Sequence, residues 1–176
     1  AGYVGGPTMA VIAKNCPKIQ INIVDINEKR IKEWENKDLN KLPVYEPGLD
    51  KIISTTRNKN LFFSSDVEQH IANADMIFIS VNTPTKEKGL GAGQAIDLKW
   101  IDATARQISK YAKGKTIVVE KSTLPVKTAR TIKEILGSKN QIQDDFKVVG
   151  TILSSVKKIK RKKIQIKVGD IGLFKS

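Results

Sequence analysis

Sulfur and imidazole are nearly missing from this chain of 176 residues, which holds one cysteine, one histidine and two methionines. A single cysteine, Cys16, rules out an intrachain disulfide, which fits a reducing compartment and leads us to expect the cytoplasm. No histidine lies near Cys16 in the sequence to activate a thiolate, so it reads as a small half-buried residue at a helix end. The lone His70 falls in a helical stretch and reads as a surface residue, not a catalytic one. No apolar run is long enough to cross a bilayer and no signal peptide is visible, so no membrane partner is expected. Aromatic residues make up only 6%. Acidic residues are also short, 18 against 31 basic, and the net charge is +13.

That charge is unevenly spread. Residues 157 to 176 hold eight Lys and Arg against Asp170 alone, which is +7 of the total. The segment has three readings: an extension foreign to the rest of the chain, a basic patch touching RNA or serving nuclear import, or a solvated end. The first and third are favoured together. Phe174 is the only aromatic there on which a base could stack, which argues against nucleic acid as a partner.

What is present is a repeated alternation. Segments 19–26, 60–64, 75–81, 115–122 and 146–153 are apolar and rich in β-branched residues, and read as strands. Segments 7–16, 27–36, 49–57, 65–74, 97–112 and 124–137 have helical spacing. Asn27 suits an N-cap, and Ser65 with Glu68 fits a capping box. Trp34 and Trp100 lie at helical positions suited to packing in a core or against a subunit. Strand and helix in turn imply an α/β fold with a doubly wound, Rossmann-like parallel sheet. We expect residues 1–150 to form that domain and 151–176 to be a divergent basic tail.

The chain opens on "AGYVGG", without an initiator methionine. One more glycine in front would complete G-x-G-x-x-G, with Gly2 second and Gly5 third. Gly2, lacking a Cβ, would let backbone approach a pyrophosphate, Gly5 would let the helix pack closely on the sheet, and the helix N-terminus would hold the anion. The first strand is therefore expected to be truncated, leaving its two neighbours with unpaired edges. Asp25 ends the next strand twenty residues after Gly5. A carboxylate there accepts from adenosine ribose hydroxyls and favours NAD over NADP, although Arg30 nearby could accommodate a 2′-phosphate. "SVNTPT" (80–85) and "EKSTLP" (120–125) also follow strands, where open parallel sheets bind ligands.

In order along the chain, "AGYVGGPT", "IVDIN", "LPVYEPGL", "KNLFFSSD", "FISVNTPTK", "GAGQAIDLK" and "VVEKSTLPVKTA" resemble the N-terminal, NAD-binding part of the eukaryotic UDP-glucose 6-dehydrogenase family, over about residues 1 to 149. The resemblance implies oxidation of UDP-glucose to UDP-glucuronate by two NAD. A cysteine captures the intermediate aldehyde as a thiohemiacetal, and a thioester is then hydrolysed. It implies that Gly2, Tyr3, Val4 and Gly5 serve the pyrophosphate and that Asp25 and Arg30 meet the ribose. Val81, Asn82, Thr83, Pro84, Thr85, Ser122, Thr123 and Leu124 would line the cofactor cleft. Thr123 matches a threonine that helps hold a catalytic water, and Glu120 and Lys121 open a segment that the family uses as an allosteric switch. The intact family member is a homo-oligomer.

Three departures stand out. The loop before "LPVYEPG" is longer than usual, the first glycine is absent, and past Val149 the family's segments bearing the catalytic glutamate, lysine and cysteine are not found. The chain as given is thus expected to be inactive alone. A catalytically dead NAD-binding module is the alternative reading, and a basic nucleic-acid-binding protein the third.

Overall fold

The computed structural model describes residues 1–90, 92–93, 95–113, 115–122, 128–137, 146–150 and 172–175. Among them the chain alternates as the sequence predicts. Helix α1 (Gly5–Asn15) leads to strand β1 (Gln20–Val24), then α2 (Glu28–Trp34), a single 3-10 turn at Leu39–Lys41, and α3 (Leu49–Thr56). Strand β2 (Leu61–Ser64), α4 (Val67–Ala72), β3 (Met76–Ile79) and α5 (Lys99–Tyr111) follow. Then come β4 (Thr116–Glu120), α6 (Thr128–Gly137), β5 (Phe146–Gly150) and β6 (Gly172–Lys175).

The strands form one sheet in the order β2-β1-β6-β3-β4-β5. Strands β1 and β2 are parallel, as are β3, β4 and β5. Strand β6 runs antiparallel to both β1 and β3, which therefore share one direction. The outcome differs from expectation here: β1 and β3 are not left with open inner edges, because Phe174 stands opposite Ile21 on one side and Met76 on the other. Unpaired backbone edges are costly, and four residues of the basic segment satisfy them from the far end of the chain.

Alternation along the strands feeds two cores, one on each face. Ile21, Ile23, Leu61, Phe63, Phe78 and Val119 join Met9 and Ala10 of α1, Trp34 of α2 and Ile53 of α3. On the opposite face Ile77, Ile79 and Val118 meet Ile71 of α4, Ile101, Ala105 and Ile108 of α5, and Ile132 and Leu136 of α6. Each fully buried Ile or Leu contributes about 1.5–3 kcal/mol, so the register that splits Phe78 from Ile77 and Ile79 is strongly fixed.

Local signals set the helix ends. The Asn27 side chain accepts from Arg30 N at 3.2 Å, the predicted cap of α2. For α4 the cap is Asp66, accepting from Gln69 N at 3.0 Å, instead of Ser65. The shift follows from Ser64, the last residue of β2, whose hydroxyl accepts from Asp66 N at 3.0 Å, so that the turn runs through Ser65 and the helix starts one residue later. Two caps come from afar. Asn60 Nδ2 donates to the carbonyls of Ala13, Cys16 and Ile19 past the end of α1. Arg57 Nη1 donates to those of Trp34 and Asn36 at the end of α2, both at 2.8 Å. Cys16 is half-buried. Trp34 is fully buried as expected, but Trp100 is 45% exposed and faces a cleft.

Candidate functional site

Strands β1 and β3 flank β6 and run in one direction, and a cavity of about 540 Å³ opens beyond their carboxyl ends. Five of the predicted residues line it: Gly2, Asp25, Arg30, Val81 and Asn82. Their convergence follows from topology. In an open sheet, the crevice lies where the chain leaves neighbouring strands in opposite directions. Here β1 passes to α2 on one face and β3 passes to α5 on the other.

The turn before α1 supplies one wall. Gly6 N donates to Gly2 O at 3.2 Å, closing the first bend. Helix α1 begins at Gly5 with no acidic side chain in its first turn, so its positive end carries nothing that would repel an anion. Tyr3 and Val4 belong to this turn, with side chains largely exposed.

Asp25 supplies the second wall. Its Oδ2 accepts from the amino group of Ala1 at 2.8 Å, and its Oδ1 from Asn27 N at 2.9 Å. Each carboxylate oxygen has a second lone pair, so a diol can still donate to this group. Arg30 stands one turn along α2, its Nη1 at 3.4 Å from both Glu33 Oε2 and the Pro43 carbonyl.

The third wall follows β3 and β4. Ser122 is not itself on the cavity surface, but its hydroxyl clasps Val81, which is. Ser122 Oγ accepts from Val81 N at 3.1 Å and donates to Val81 O at 3.0 Å. Thr83, Pro84 and Thr85 lie beyond the lining, in a segment that folds back on itself. Asp97 N donates to Pro84 O at 2.7 Å, and Thr85 bridges Ile96. Thr123 and Leu124 fall outside the described residues. Glu120 is 4% exposed at the end of β4; burial pushes its carboxyl up to about 7, against the pull of a hydrogen bond from the Ser122 backbone.

Sequence reasoning missed the fourth wall, made by Trp100, Ala103, Thr104 and Gln107 of α5. These recur at i, i+3, i+4 and i+7, a stripe adjacent to the buried Ile101, Ala105 and Ile108. The signal was a second face on α5, with Trp100 followed by the small or polar Ala103, Thr104 and Gln107 beside the apolar one. A separate cavity of about 400 Å³ between the ends of α1 and α3 gathers none of the predicted residues.

The arrangement fits an adenine dinucleotide: a turn without a Cβ at Gly2, a helix N-terminus, a diol acceptor at the end of the next strand, and a half-apolar slot between them. Among the described residues there is no cluster of three or more metal-ligating side chains, and no helix is long and apolar enough to cross a membrane.

Residues 1–152 match the model of the UDP-glucose/GDP-mannose dehydrogenase family, NAD binding domain. UDP-glucose 6-dehydrogenase 3 of Oryza sativa subsp. japonica is 58% identical over 136 residues, covering 77% of this chain and 28% of that protein. UDP-glucose 6-dehydrogenase 1 of Glycine max is 52% identical over 163 residues, covering 89% and 33%. The chain thus spans about a third or less of the length of these relatives. Among solved structures, the NDP-N-acetyl-D-galactosaminuronic acid dehydrogenase of Methanosarcina mazei superposes with a TM-score of 0.71 at 22% identity, covering 85% of this chain and 32% of that one. A UDP-glucose dehydrogenase from Pyrobaculum islandicum gives 0.61 at 23%, covering 82% and 31%. At such identities the two structures speak for the fold.

Proposed function

The chain belongs to the UDP-glucose/GDP-mannose dehydrogenase family, whose NAD-binding domain it supplies, and we propose that it serves the NAD-dependent oxidation of UDP-glucose to UDP-glucuronate. The observation that carries this reading is the meeting of Gly2, Asp25, Arg30, Val81 and Asn82 in one crevice at the carboxyl edge of the sheet. When bound, NAD supplies the hydride acceptor. The residues of this chain bind and orient it. The turn of Gly2, Tyr3, Val4 and Gly5 presents backbone to the pyrophosphate, and Asp25 accepts from the ribose diol. Val81, held by Ser122, and Asn82 form the wall that leads toward the nicotinamide end; the family resemblance assigns Thr83, Pro84, Thr85, Thr123 and Leu124 to the same cofactor.

A carboxylate at Asp25 repels a 2′-phosphate, so NAD is preferred to NADP. Residues 1–150 act as the binding unit and 151–176 as an appendage whose last strand closes the sheet. Homo-oligomerisation and a cytoplasmic setting belong to the same proposal, supported by the family resemblance and by the single cysteine. Two measurements test it. Calorimetric titration of the 176-residue chain should give saturable NAD binding and weaker NADP binding; equal affinities, or none for NAD, would contradict the cofactor half. Protein expressed from the complete gene should reduce NAD with UDP-glucose; reduction only with another nucleotide sugar would contradict the substrate half.

A further inference from the structure

We propose that Trp34 is a positioning residue for the dinucleotide: its indole is the seat that sets the height of the glycine turn, and so the aim of that turn's amides at the pyrophosphate. The proposal rests on the cofactor reading given above.

The ring touches both ends of the turn. At one end Nε1–H donates to the Ala1 carbonyl at 3.0 Å, in a buried hydrogen bond. At the other, Gly6 lies directly against the six-membered ring. A Cβ added there would stand 2.1 Å from Cζ2 and 2.5 Å from Cη2, closer than any side chain can be. Residues 2 to 5 span the gap between these contacts, and Gly2 faces the cleft.

The seat is itself immobilised. Trp34 has no solvent exposure, and its ring stacks on Phe63 of β2 with centroids 5.3 Å apart and planes 10° from parallel. Its carbonyl is held by Arg57 at 2.8 Å. A fully buried ring with a stacked partner has few rotamers to choose from. Backbone amides that bind an anion must be placed to within about half an ångström, and this needs a rigid support behind the turn. A packing residue anywhere in the core would stabilise the domain. Only one that holds both ends of the turn should affect one part of the ligand more than another.

That difference is the test. Adenosine carries the base and ribose; ADP-ribose adds the pyrophosphate. Both are titrated into the 176-residue chain and followed by NMR. In Trp34→Phe, which keeps a ring to stack on Phe63 but loses the N–H and the ring edge over Gly6, ADP-ribose should bind about fivefold to tenfold more weakly, with adenosine changed less than about twofold. Adding Gly6→Ala should weaken wild type by a similar factor but Trp34→Phe by little, because the ring edge it strikes is already gone. Equal weakening of both ligands, or none, would overturn the positioning role. A wild-type chain that binds neither ligand would instead remove the cofactor reading. If Trp34→Phe does not fold, the wild-type indole signals decide. The Trp100 N–H, at the cleft, should shift with either ligand, and that of Trp34 with ADP-ribose only; a Trp34 signal unmoved by ADP-ribose overturns the proposal.

Discussion

The Ser122 hydroxyl engages both backbone groups of Val81, accepting from its N–H at 3.1 Å and donating to its carbonyl at 3.0 Å. One side chain at the end of β4 therefore continues the sheet ladder past the end of β3, at the point where Val81 turns toward the cleft. Lys121 N adds a bond to Ile79 O at 3.0 Å just before it. Replacing Ser122 by Ala strips Val81 of both partners in a half-buried setting. We expect a loss of about 1–2 kcal/mol in urea denaturation and NAD affinity lowered several-fold. A variant as stable as wild type, with unchanged affinity, would show that the clasp is incidental.

Asp25 sets the choice of cofactor. Asp25→Asn removes the negative charge while keeping an acceptor for Asn27 N, so the turn into α2 should survive. A hydrogen bond to a charged acceptor is worth about 1.5–3 kcal/mol, so NAD affinity should fall at least about tenfold. NADP affinity should hold or improve, since the repulsion of the 2′-phosphate is relieved and Arg30 stays in place. Calorimetry with both nucleotides gives the ratio. A fall of equal size for both would mean that Asp25 only supports the loop.

How far the residues themselves announce this site depends on the range of each interaction. Asn27 as a cap, the strand that ends just before Asp25 and the apolar run 76–79 are local, and neighbouring residues alone are enough to read them. The seat of the glycine turn is not legible in this way: Trp34 obeys the same helical pattern as any core residue, and its contact with Gly6 spans 28 positions. Motif spacing points to Gly5 for close packing on the sheet and carries no signal for the approach of Gly6 to the indole. Trp100 escapes for a related reason. Periodicity finds the apolar stripe of α5 but cannot tell a stripe facing a cleft from one facing solvent. The strand at 172–175 is hidden because it is four residues long and holds a glycine and a lysine, while its pairing partners lie about 100 to 150 residues away.

Asn60 is the clearest of these distant effects, and it is testable. One carboxamide nitrogen faces three carbonyls, at 2.9 Å from Ala13, 3.3 Å from Cys16 and 3.2 Å from Ile19. It pins the exit of α1 and the approach to β1 onto the start of β2. Asn60→Ala should cost about 2 kcal/mol, and Asn60→Asp more, since an anion would then face three acceptors. Urea midpoints for the two variants give the order. An Asp variant no worse than Ala would mean that the loop turns to expose residue 60.

Glu120 makes stability depend on pH in the direction opposite to that of a salt-bridged carboxylate. Its usual value is 4.5, and in the folded chain burial raises it to about 7. Below pH 4.5 both folded and unfolded chains carry the proton, and the group contributes nothing. Between 4.5 and 7 the unfolded chain has released its proton while the folded chain still holds it, so stability falls as pH rises. Above 7 both are ionised, and the penalty for a buried charge is complete, on the order of 3 kcal/mol. Glu120→Gln removes the titration while keeping the shape. Wild type and variant should therefore differ little near pH 5, and the variant should be the more stable by up to that amount at pH 8. Urea denaturation at four pH values between 5 and 8 measures the difference directly. Parallel curves would mean that water or a cation reaches Glu120 in the folded chain. A gap that opens with pH would place a protonated carboxyl at the base of the Ser122–Val81 clasp under mildly acidic conditions, so NAD affinity in wild type should also decline from pH 6 to 8, and in Glu120→Gln it should stay level.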